Sequence, residues 1–139
     1  VALPQYEKTV WKSRVMGQVP TLKTVKESLE RYYMANGSYP PDDVTGLDID
    51  IPGCVATGQG SGHFECGNFV IDYNGGTAGH PEANIMLCMG NKEDTLFDCN
   101  GNSVQVVLYW FLDRSSYPNR KSCISKISGL CKHLTEFTE

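Results

Sequence analysis

No apolar stretch of about 18 residues or more occurs in this chain, so nothing in it reads as a membrane-spanning helix. No C-x-x-C pair is present, although there are six cysteines, and no H-E-x-x-H. Structural zinc sites bring their ligands in close pairs, so zinc is disfavoured. Gly-x-Ser-x-Gly is absent, and the Gly58 to Gly62 stretch has no Lys-Ser/Thr ending and opens no helix. These absences remove the nucleophile elbow and the phosphate-binding loop. Basic residues are too few for a nucleic-acid surface. Twelve Lys and Arg face sixteen Asp and Glu, a net charge of -4. We expect no strong nucleic-acid binding and no enzymatic activity.

What is present begins with a periodic pattern. From Tyr6 to Asn36, the residues Val15, Val19, Leu22, Val25 or Lys26, Leu29 and Tyr33 step by three or four. This lays an apolar stripe along one side of a long helix. Lys12, Lys23, Glu27, Glu30 and Arg31 are assigned to the other side. Pro20 is expected to kink the helix, and Pro4 to kink it or mark its start. Asn36-Gly37 is a left-handed stop signal, and Pro40-Pro41 forbid continuation. Trp11 lies on the early helix, ahead of any sheet expected to cover it, so its partner is expected on another chain.

After the helix the chain reads as loop over residues 37–68, then changes to the period of strands over 69–112. The expected strands are Phe69 to Tyr73, Asn84 to Met89, Thr95 to Cys99 and Ser103 to Leu112, with Asn100-Gly101 as a hairpin signal. Residues 113–139 read as a polar, irregular tail. One helix followed by a run of strands gives the α+β class. The expected architecture is a long N-terminal α-helix (1–36) on a three- or four-stranded antiparallel sheet, with a disulfide-closed C-terminal region, in a single domain over 1–139.

The even cysteine count favours disulfides and an oxidising compartment. Six cysteines allow 15 pairings. Local geometry favours the sequential one: Cys54 with Cys66, Cys88 with Cys99 across a hairpin turned at Glu93-Asp94, and Cys123 with Cys131. Other chemistry is thin. His63 and Cys66 are weak metal candidates, Gly60-Ser61-Gly62-His63 reads as a turn, and His80 and His133 fall in no ligand pattern. The acidic group Asp42, Asp43, Asp48 and Asp50, or Asp113 with tail carbonyls, is a weak calcium candidate. No other cofactor is expected. The aromatic residues Tyr32, Tyr33, Tyr39, Tyr109, Trp110 and Phe111 read as packing groups.

Together, Val1-Ala2-Leu3-Pro4-Gln5-Tyr6, Lys12-Ser13-Arg14 and Tyr32-Tyr33-Met34-Ala35-Asn36-Gly37-Ser38-Tyr39-Pro40 resemble type IV pilins and the related type II secretion pseudopilins. Leu47-Asp48-Ile49-Asp50-Ile51-Pro52-Gly53-Cys54 looks like the loop that follows the helix in that family, and Cys123 to Cys131-Lys132 like its disulfide-closed C-terminal region. The resemblance implies the pilin fold and a filament subunit that polymerises through its N-terminal helix. It also implies an apolar membrane-anchoring half upstream of Val1, preceded by a short leader that a prepilin peptidase removes, with methylation of the new N-terminal residue. The implied partners are further copies of the chain, the inner membrane and the pilus assembly machinery. The implied location is the bacterial cell surface, with an inner-membrane pool before assembly, in the service of adhesion or twitching motility. Val1, Leu3, Pro4, Tyr6, Val10, Trp11 and Val15 are the expected filament-interface residues. A type II secretion pseudopilin is the alternative, against which six cysteines count. A secreted disulfide-rich binding module is a third reading.

Overall fold

The computed structural model describes residues 5–41, 43–58, 62–75, 83–134 and 137. A single long helix, α1 (Gln5–Asn36), precedes six strands: β1 (Val55–Ala56), β2 (His63–Glu65), β3 (Phe69–Asn74), β4 (Asn84–Met89), β5 (Val106–Phe111) and β6 (Lys121–Ser125). A one-turn 3-10 helix, Cys131–His133, follows. The strands form one antiparallel meander in the order β1-β2-β3-β4-β5-β6. The fold is α+β as expected, but the sheet has six strands where three or four were expected.

The stripe on α1 buries Val15, Val19, Leu22, Val25, Lys26, Ser28 and Leu29. Both candidates at the ambiguous step, Val25 and Lys26, face inward. Pro20 does not interrupt the helix. It lies on the exposed side, where water can satisfy the carbonyl that loses its N–H partner. The helix stops as expected. Gly37 takes φ 77°, and its N–H donates to the Tyr33 carbonyl at 2.7 Å. A residue with a Cβ pays a steric penalty at that φ, which is why glycine suits the position.

Strand alternation sorts the sheet into two faces. Phe64, Ile71, Leu87, Leu108 and Cys123 stand opposite one another across five strands and point into the core beneath α1. The opposite face carries the row Val55, Glu65, Val70, Cys88, Val107 and Ile124. The connection from Gly90 to Gln105 folds over the middle of this outer face, where Leu96 and Val104 pack on Val70 and Cys88.

That connection corrects one expectation. Thr95 to Cys99 is not a strand, and Asn100-Gly101 does not join a hairpin. The edge of β4 that this segment would have paired with is taken by β5, from Asn84↔Phe111 to Met89↔Val106. Leu96 instead buries on the outer face and donates its N–H to the Gly67 carbonyl at 2.8 Å. The three disulfides pair sequentially, Cys54–Cys66, Cys88–Cys99 and Cys123–Cys131. The second therefore ties an excursion to the outer face and does not cross a hairpin.

Two further expectations are revised. The loop assigned to 37–68 contains β1 and β2, strands too short to show a period. The tail assigned as irregular contains β6, and Ile127, Leu130, Leu134 and Phe137 return to the core. Phe137 meets Trp110 edge to face, with ring centroids 6.2 Å apart.

Candidate functional site

The start of α1 extends past the buried stripe, which begins at Val15. Of the expected interface residues, Val1, Leu3 and Pro4 lie outside the described residues. Tyr6 is 78% exposed, the highest value among the large apolar side chains of the first two turns. Val10 is half-buried.

Trp11 departs from expectation. It packs against the core of its own domain, and the Arg14 guanidinium lies 4.5 Å from its ring centroid. Arg14 is anchored in turn, donating to the Gly90 carbonyl at 2.8 Å. The reason is β4: its C-terminal end and the connection that follows reach the early helix, so Trp11 has an intramolecular partner. Trp11, half-buried, also borders a cleft of about 390 Å³ shared with Glu7, Asn91, Gln105 and Lys126. Val15 is fully buried and belongs to the core, not to an interface. The helical period carries it onto the face that meets the sheet.

At the far end of α1 a charged cluster joins helix to sheet. The Lys26 ammonium donates to Asp113 Oδ1 at 2.9 Å and approaches Glu30 Oε2 at 3.5 Å. Glu30 also accepts the Asp113 backbone N–H at 3.0 Å and the Tyr39 hydroxyl. Burial, with the Glu30 hydrogen bond, pushes the Tyr39 phenol upward from its usual pKa. Tyr39 therefore stays a neutral donor, which suits a carboxylate partner. Glu30, assigned to the solvent side from its sequence position, is instead part of this joint. Asp113 is engaged by a cation of the protein itself.

The acidic group of the loop does not converge on one point. Asp48 takes a two-pronged contact from Arg31 at 2.7 and 2.9 Å and the Ser28 hydroxyl at 2.7 Å. Asp43 accepts the Thr45 N–H at 2.8 Å, Asp50 is exposed, and Asp42 lies outside the described residues. His63 is buried, with Nε2 3.0 Å from Glu65 Oε1, and Cys66 is consumed by its disulfide. Ser61 and His80 are outside the described residues, and His133 is exposed. Among the described residues no group of three or more His, Cys, Asp or Glu is placed to hold a metal ion. Among them, no helix is long and apolar enough to cross a membrane.

The sequence reading did not find the Lys26 joint. Its only signal was a lysine on an apolar stripe, and the partner Asp113 is distant in the chain. No family model, no curated protein and no solved structure matches this chain.

Proposed function

We propose that this chain is a structural subunit of a type IV pilus filament, polymerising through the N-terminal part of α1. The observation that carries the reading is the division of one helix into two zones. From Val15 onward its stripe is consumed by the sheet, whereas the turns before it present exposed Tyr6 and half-buried Val10 and Trp11. At ~1.5 Å per residue the 32-residue helix is about 48 Å long, whereas its buried stripe, Val15 to Leu29, covers about 21 Å of that length. A helix that outruns its own sheet suits packing against the helices of neighbouring subunits. The family resemblance of residues 1–54 points the same way. Three disulfides suit an oxidising location, and we place the subunit on the cell surface after an inner-membrane stage. The subunit has no catalytic role in this reading.

The test is the N-terminal sequence and intact mass of the mature protein, with antibody labelling of sheared surface filaments from the source cells. A methylated N-terminus followed by about 20 apolar residues, and labelled filaments, are the expected results. A mature chain starting at Val1, or unlabelled filaments, would overturn the reading.

A further inference from the structure

The modest net charge hides a strong separation. Between Arg31 and Lys92 the sequence has seven carboxylates (Asp42, Asp43, Asp48, Asp50, Glu65, Asp72 and Glu82) and no Lys or Arg. From Arg114 to Leu134 it has five basic residues (Arg114, Arg120, Lys121, Lys126 and Lys132) and no Asp or Glu. Of the described acidic residues, Asp43 lies beside the end of β1, where the Val44 N–H donates to the Thr57 carbonyl at 3.3 Å, exposed Asp50 precedes β1 by five residues, Glu65 is on β2 and Asp72 on β3. Of the basic residues, Lys121 is on β6 and Arg120 and Lys126 flank it, and β1 and β6 are the two edges of one sheet. On the acidic side, Arg31 neutralises Asp48, but Asp43 and Asp50 have no cation partner among the described residues. On the basic side, Arg120, Lys121, Lys126 and Lys132 have no carboxylate partner among them.

The edges also match in apolar surface. Val55 and Ile124 are the two ends of the same cross-strand row, and they are 63% and 61% exposed. The middle of that row, Val70, Cys88 and Val107, is covered by the Gly90 to Gln105 connection, but its ends are not. Beside Ile124 runs a cleft of about 460 Å³ bordered by Arg120, Ser122, Ser125 and Ser128.

We infer that the two sheet edges are complementary docking surfaces for successive copies of this chain: the acidic β1 edge, with Asp43 and Asp50, sits against the basic β6 edge of the next copy, and Val55 of one copy meets Ile124 of the other. Self-pairing of two β6 edges would bring like charges together, so the contact runs head to tail. A head-to-tail contact is heterologous and generates an open chain of subunits unless its rotation closes a ring. The inference deepens the filament reading and rests on it for its biological setting, but the contact itself belongs to the globular domain.

The experiment is sedimentation of the purified chain over a range of concentrations at about 0.01 M and about 1 M salt, where the screening length falls from ~30 Å to ~3 Å. The expected result is mass growth with concentration at low salt only. Asp50→Lys and Lys126→Glu should each weaken association by about 3- to 10-fold, and the double variant, which restores opposite charge, should recover most of it. Arg120→Glu repeats the basic-side test at an exposed position, because Lys126 also donates to the Asn102 carbonyl. Association insensitive to salt and to these reversals, or none at low salt, would overturn the inference. The same reversals made in the source cells separate the two readings. Filaments that contain the chain and ignore every reversal keep the pilus reading and sink this one. Charge-dependent association of a chain absent from filaments does the opposite.

Discussion

Lys26 places an ammonium group where the helical stripe calls for an apolar side chain, and it is tolerated because two carboxylates reach it. Removing the cation leaves Glu30 and Asp113 side by side in a partly buried site. Breaking a buried pair in this way costs about 3–5 kcal/mol, and the partial exposure of Asp113 points to the lower end of that range. Lys26→Met should therefore lower the urea midpoint clearly, although it adds apolar surface. Val15 makes the opposite case. The sequence marks it as an interface residue, but it has no exposed surface, so Val15→Asp buries an unpaired charge and should cost about 4 kcal/mol or more. A soluble, cooperatively melting Val15→Asp domain would contradict the packing described. Asp48 acts through pH. Arg31 and then Ser28 hold its carboxyl well below the usual range. The folded pKa is thus lower than the unfolded value of ~3.9, so the pair adds stability at neutral pH. That stability is lost as pH falls below about 4 towards the folded value. Asp48→Asn should show a shallower loss of melting temperature over that acid range than the parent chain.

Among elements, α1 depends on its stop and the sheet on its cover. Gly37 ends the helix at positive φ, and Gly37→Val should cost about 1–2 kcal/mol with no lost contact, because the backbone conformation itself is strained by a Cβ. The Gly90 to Gln105 excursion covers the outer face through few apolar residues, and Cys88–Cys99 ties it down. A closure of 11 residues restrains the unfolded chain by about 3 kcal/mol. The double variant Cys88→Ala with Cys99→Ala should lower the melting temperature. It should also raise hydrogen exchange at the Leu96 N–H, which the excursion holds against Gly67. Unchanged exchange at Leu96 would mean that packing alone holds the cover.

For the molecule as a whole, the early turns of α1 and the two sheet edges are the surfaces left over once the core is complete. Tyr6→Asp changes a side chain outside the core, so domain stability should move by no more than about 0.5 kcal/mol. Under the filament reading the same substitution should reduce surface filaments in the source cells, and wild-type yields would count against a role for this end of the helix. The pairing of stability with filament yield separates an interface residue from a folding residue, a distinction that Val15 fails.

Local rules sufficed for the helix and its stop, the strands now numbered β3, β4 and β5, and the sequential disulfides. In each, neighbouring residues carry the signal: a 3.6-residue stripe, a glycine at positive φ, alternation over six residues, cysteines close in the chain. They failed where a segment's fate depends on what already occupies its place. Thr95 to Cys99 has strand-like composition, but β5 had filled the edge of β4. The strands β1 and β2 are two and three residues long, too short to show alternation, and β6, Lys-Ser-Cys-Ile-Ser, is mostly polar, so all three are defined by pairing with a sheet already present. Trp11 looked bare because nothing nearby in the chain says that β4 ends beside it. Lys26 and Asp113 are an ion pair only once helix and sheet have met. The sequence by itself determined the class of fold, the helical spine and the covalent ties, because those follow from short-range periodicity and spacing. The tertiary structure decided which residues are core and which are surface, and it set Asp43 beside β1 and Lys121 on β6, the two edges of one sheet, because both depend on contacts between residues far apart in the chain.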